Sequence, residues 1–125
     1  MTGPISGDEG QSTVELALAL PMVALLALGL IQIGLIVHQQ VLVTHIAREG
    51  ARAAAVDESP DAAREAVVAG APLDPERVVV EVLGRGETGS RVTVTVTYDA
   101  PMVIPLVGTL MDDVSLTAAA TMRVE

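Results

Sequence analysis

From Leu16 to Val37 the chain carries only Leu, Ala, Val, Ile, Met and Gly, apart from Pro21 and Gln32. As a helix, a run of about 22 residues rises roughly 33 Å, enough to cross the roughly 30 Å core of a bilayer. Lipid offers no partner to free peptide groups, so a run of this composition is expected to be helical. Pro21 removes one N–H from that ladder and can kink it. The competing reading is a core helix of a soluble protein, but a core stripe rarely stays apolar on every face over this length. Past Val37 the pattern changes. Gln39, Gln40, Thr44 and His45 add polarity while Val41, Leu42, Ile46 and Ala47 keep helical spacing. The helix is therefore expected to leave lipid and run on, amphipathic, to Val56. Within it Ala47, Gly50, Ala51, Ala54 and Ala55 form a small-residue stripe. Such a stripe suits close approach of another backbone, either a neighbouring subunit or the chain's own sheet; it is equally compatible with a plain short-side-chain surface.

The remainder alternates differently. Ser59-Pro60-Asp61 reads as a helix start, with Ser59 as cap and Pro60 in the first turn, followed by a short helix over Ala62 to Ala69 that Gly70 and Pro72 end. Val78, Val80 and Val82 then share one face of a strand, and Val92, Val94, Val96 and Tyr98 one face of a second. Gly84-Arg85-Gly86-Glu87-Thr88-Gly89 joins them as a hairpin loop. A third strand, reached through Pro101 to Asp113, places Val114, Leu116, Ala118, Ala120, Met122 and Val124 on one side. Three strands with one apolar face need a helical cover, and the segments before Val56 and over Ala62 to Ala69 are the ones available. The expected class is α+β: a long N-terminal transmembrane helix continuing into an amphipathic helix, then a small domain with a short helix and a three-stranded antiparallel sheet. The expected division is a leader over 1–10, the helix over 11–56 and the small domain over 57–125.

Composition narrows the function. The net charge is −9 and every basic residue is an arginine, which argues against nucleic acid, since phosphate binding needs a basic surface. With no cysteine, disulfides, thiolate chemistry and cysteine-based zinc sites are excluded. The small domain, about 70 residues, falls in the range where independent cores are marginal, so it is expected to dock on something.

The start of the chain is unlike an ordinary secretory signal, which has basic residues first and a small-residue cleavage site after the apolar stretch. Here the small residue, Gly10, precedes that stretch, and Met1 to Gly10 contains Asp8 and Glu9 but no Lys or Arg. Cleavage at Gly10 would leave the whole apolar helix on the product. Gly10 followed by Gln11-Ser12-Thr13-Val14-Glu15, the apolar helix, and Ala47-Arg48-Glu49-Gly50-Ala51-Arg52-Ala53-Ala54 resembles the TadE-like minor pseudopilins of the tight-adherence (Tad/Flp) pilus system. The resemblance implies a membrane prepilin peptidase cutting after Gly10, Gln11 as the first mature residue, and Glu15 as an aid to assembly with other pilin or pseudopilin subunits. Two features depart from the pattern: Leu16 stands where many such chains have an aromatic, and the leader lacks basic charge. By the positive-inside rule, Arg48 and Arg52 beyond the span would favour a cytoplasmic C-terminal side, whereas the resemblance implies an extracytoplasmic one, the orientation expected here.

Glu15 also has a local reading. Ser12-x-x-Glu15 before an apolar run is a capping box, and a carboxylate in the first turn meets the positive end of the helix dipole. His38, His45 and Glu49 fall on nearly one helical face, yet 38 and 45 stand about 10.5 Å apart along the axis, too far for one zinc ion. His45 with Glu49 could give two ligands, but the set is incomplete; Glu49 is expected to pair with Arg52 instead. No metal or cofactor is expected. The loop Gly84 to Gly89 has glycines but no helix behind it to supply N–H groups and dipole to a phosphate. Its glycines suit turns with positive φ. No nucleophile, base and orienting group can be assembled from the sequence, so neither catalytic residues nor a small-molecule substrate are expected. Two functions stay open: a structural pseudopilin of pilus assembly in the cytoplasmic membrane, and an uncleaved, signal-anchored envelope protein that uses its small domain as a binding module.

Overall fold

The computed structural model describes residues 7–102 and 112–125. Helix α1 runs without a break from Gly7 to Val56, through Pro21. Helix α2 spans Ala62–Gly70, a 3-10 turn covers Pro75–Arg77, and strands β1 (Val78–Leu83), β2 (Arg91–Ala100) and β3 (Val114–Arg123) follow. The sheet is antiparallel with order β1-β2-β3. The architecture is thus α+β, with β1 and β2 a hairpin. The expected link from Pro101 to Asp113 lies mostly outside the described residues.

Alternation along β2 sets the core. Val92, Val94, Val96, Tyr98 and Ala100 point inward and are buried, while Thr93, Thr95 and Thr97 line the outer face. Register then places Val96 beside Val80 and Ala118, and Tyr98 beside Val78 and Leu116. On the outer face Thr93 and Thr121 hydroxyls lie 2.8 Å apart, a cross-strand pair of the kind that supports a sheet. The upper half of α1 supplies the facing layer through Val43, Ile46, Ala47, Ala51, Ala54 and Ala55, all buried. The helix is therefore part of the same core as the sheet and α2. On β1, burial fades along the strand, from Val78 at 5 % exposed to Val82 at 36 %. The reason is that α2 ends its cover there, leaving a groove of about 410 Å³ beside Pro60, Ala63, Val80 and Val82.

Two expected helix starts differ. At α2 the N-cap is Asp61, with helical backbone angles and no side-chain cap bond. The Ser59 side chain does not cap: the Asp57 carboxylate accepts from the Ser59 N–H at 2.8 Å, folding the chain into a tight turn that leaves Ser59 two positions before the cap. The start of α1 at Gly7 rather than Ser12 removes the capping box, as described next.

Candidate functional site

The residues nominated for processing and assembly lie inside α1. Gly10 is helical and open, with nothing within 4 Å of where a Cβ would stand. Because the helix already begins at Gly7, Ser12 and Glu15 are interior positions; the orphan N–H groups that a cap satisfies belong to earlier residues. Glu15 is exposed, and among the described residues its Oε1 accepts one long contact, 3.5 Å, from Gln11 Nε2. Against hydrocarbon a carboxylate so weakly held is costly and seeks a partner.

From Leu16 to Ala27 every residue is exposed, with Leu18 at 74 % and Met22 at 76 %. This is the one helix among the described residues that is long and apolar enough to cross a membrane. Cover begins at Leu28 and Gly29, and Gln32 is only 3 % exposed. The segment from Gln11 to Ile31, exposed except for the partly covered Leu28 and Gly29, rises about 31 Å, close to one hydrocarbon core. Gln32 therefore marks the level at which the folded domain meets the end of a span. Past that level the cover is one-sided. Ile36, Val43 and Ile46 turn inward, while Ile33, Val37 and Val41 stay 59 %, 58 % and 62 % exposed.

The small-residue stripe is where α1, α2 and the sheet come closest. Ala47, Gly50, Ala51 and Ala54 are all buried within the chain's own fold. A Cβ on Gly50 would stand 2.8 Å from Val67 Cγ2, 3.2 Å from Val94 Cγ1 and 3.4 Å from the Ala63 carbonyl oxygen. Of the two packing partners open from sequence, the stripe meets its own sheet and short helix. His38 and His45 are exposed and point away from this core. The expected Glu49–Arg52 pair does not form: among the described residues the ion pairs are those of Arg77 with Asp74 and Asp113.

One side chain that fastens the helix has no place in the expectations from sequence. Arg85, in the β1–β2 loop, donates from Nε to the Ala54 carbonyl at 2.9 Å, and the Glu125 N–H reaches the Ala55 carbonyl at 3.0 Å. Both satisfy orphan carbonyls at the C-terminus of α1, which has no basic residue in its own last turn. The only signal was that deficit together with an arginine set between glycines. Gly84, at φ 76°, and Gly89, at φ 94°, shape the loop that delivers it.

The model of the TadE-like protein family matches residues 10–52. The resemblance is thereby shown for that stretch, which begins at Gly10 and takes in Glu15, the span and most of the small-residue stripe. The sheet lies beyond it. Comparisons with curated proteins and with solved structures found no match. The TadE-like match covers about a third of the chain, and the bare helix fits a single membrane pass.

Proposed function

We propose that the chain is a minor pseudopilin: a non-enzymatic, single-pass subunit of the cytoplasmic membrane that takes part in tight-adherence pilus assembly after removal of Met1 to Gly10 by a prepilin peptidase. The observation that carries the reading is the bare apolar segment of one bilayer thickness, opening directly on Gly10-Gln11-Ser12-Thr13-Val14-Glu15 where the TadE-like match begins. The helix through Gly10 must open for cleavage. Its position close to the helix end and the glycines at 7 and 10 make that cheap, since each glycine weakens a helix by about 1 kcal/mol relative to alanine. After trimming, Gln11 carries a new amine about 6 Å along the axis from Glu15. In a bundle of such helices the carboxylate of one subunit and the amine of the next can neutralise each other, which neither can do alone in lipid.

The domain that follows Gln32 stands on the extracytoplasmic side in this reading. Intact-mass analysis of membrane-extracted protein tests it: the wild-type chain begins at Gln11, and Gly10→Val retains the leader. A wild-type chain found assembled with Met1 to Gly10 in place would overturn the processing step and favour a signal-anchored binding module.

A further inference from the structure

The flanks of the folded domain carry opposite charges at one height above the span. On α1 the outward face is Val41, His45, Arg48, Arg52 and Val56, all exposed. On the outer side of α2 stand Asp61 and Glu65, also exposed, with Arg64 between them offsetting one of the two negative charges. None of these five charged side chains has an ion pair among the described residues. The helices run antiparallel: Gly50 lies against Ala63 and Val67, while Gly70 lies against Ile46. By that alignment Glu65 and Asp61 stand at about the levels of Ala51 and Ala55, within roughly one turn of Arg48 and Arg52. The pairs also share a spacing, four residues in each, or about 6 Å. They face apart. Arg48 and Arg52 are turned about 160° from Gly50, the residue against α2, and Arg52 borders a hollow next to Met122 and Arg123 of β3 and to Glu125.

We infer that the α1 flank of one copy docks on the α2 flank of a second copy, Arg48 and Arg52 meeting Glu65 and Asp61. The inference rests on the reading that α1 spans a membrane in one orientation, because identical spans hold every copy at the same height and bring the two pairs level. A symmetric contact is disfavoured, since a two-fold axis along the membrane normal would oppose arginines to arginines or acids to acids. The contact is therefore head-to-tail and repeats from copy to copy. Exposed Val41 and Val56 on one flank and Val68 on the other supply apolar contact beside the charges. The overall charge of −9 opposes association at long range, but at physiological salt that repulsion is screened beyond about 8 Å while contacting pairs are not.

The chain has no cysteine, so introduced ones report alone. His45→Cys and Val68→Cys place thiols on the two flanks, one turn below the charges, and leave the charged residues intact. In native membranes a bifunctional maleimide should link a chain carrying both substitutions into a ladder. Each substitution alone should give no dimer. Arg48→Glu with Arg52→Glu should abolish the ladder, and adding Asp61→Arg with Glu65→Arg should restore it. A dimer from His45→Cys alone, or a ladder indifferent to charge reversal, would overturn the inference. So would absence of a ladder in protein that resists alkaline extraction. Intact mass on the same membranes keeps the two readings apart: an inserted, trimmed chain without a ladder defeats only this contact, and a laddered chain with its leader intact defeats only the processing.

Discussion

Replacing Gly50 by alanine sets two effects of comparable size against each other. In an open helix the change is favourable by about 1 kcal/mol. Here the new methyl would stand 2.8 Å from Val67 Cγ2 and 3.2 Å from Val94 Cγ1, where carbon atoms prefer about 3.5–4.0 Å. Val67 is buried and β-branched, so its χ1 cannot turn freely, and Val94 is locked in the centre of the sheet. Overpacking of this kind costs about 1–3 kcal/mol. The expected net effect of Gly50→Ala is a loss of up to about 2 kcal/mol, with Gly50→Val losing more. Tyr98, the single aromatic and 4 % exposed, reports unfolding of this core by its fluorescence in detergent. With a urea slope of about 1–3 kcal/mol per molar, the midpoint should fall by up to about 2 M. Val67→Ala removes the obstructing methyl and should cost less in the Gly50→Ala chain than in the wild type, a coupling of about 1 kcal/mol. A midpoint raised by Gly50→Ala, or strictly additive costs, would refute the close approach.

Three further outcomes are expected. Arg85→Met, which keeps much of the stem but removes the donor to the Ala54 carbonyl, should lower stability by about 1–2 kcal/mol in the same unfolding assay. Gly84→Ala forces a side chain to φ 76° with its Cβ 2.9 Å from the Arg91 carbonyl oxygen; it should cost at least about 1 kcal/mol, and hydrogen exchange should show the hairpin loop loosened first. Glu15→Gln should leave membrane insertion and trimming unchanged and prevent incorporation with partner subunits, read by crosslinking; wild-type crosslinking yield would refute the assembly role.

The fold was legible where one periodicity prevailed. The alternation of Val92, Val94, Val96 and Tyr98 predicts β2 and its buried face, and the unbroken run after Glu15 predicts the bare helix. Helix starts were less legible because they depend on competition for single N–H groups. Ser59 has the right side chain for a cap, but the Asp57 carboxylate fixes a turn before it, and nothing in the local pattern ranks the two. The capping box failed for a related reason: Ser12-x-x-Glu15 fits the motif, yet the preceding residues are themselves helical. Gln32 read as an interruption in an apolar run. Its burial, at 3 % exposed, is a tertiary fact with no local signature. The same holds for Arg85, whose partner lies 31 positions away.

The boundary at Gln32 has a mechanical consequence. A linker between span and domain would let the domain turn freely, and its surfaces would have no fixed height. Here one helix passes from the bare segment into the core without a break, and the hydrogen bonds that hold it begin about two turns past the span's end. Gln40 Nε2 donates to the Thr117 carbonyl at 3.3 Å, Gly50 seats α2, and Arg85 and Glu125 fasten the far end. Between Gln40 and Ala55 the helix advances about 22 Å, while the chain from Thr117 in β3 to Glu125 just past it advances about 26 Å in the same direction. The strand is therefore fastened along α1 at both ends, and a tilt of the span carries the sheet with it. Such a body suits assembly better than flexible capture, because neighbours aligned by their spans are also aligned by their domains. The small residues at positions 47 to 54 serve the same end: the close approach that they permit fixes the domain to its own helix.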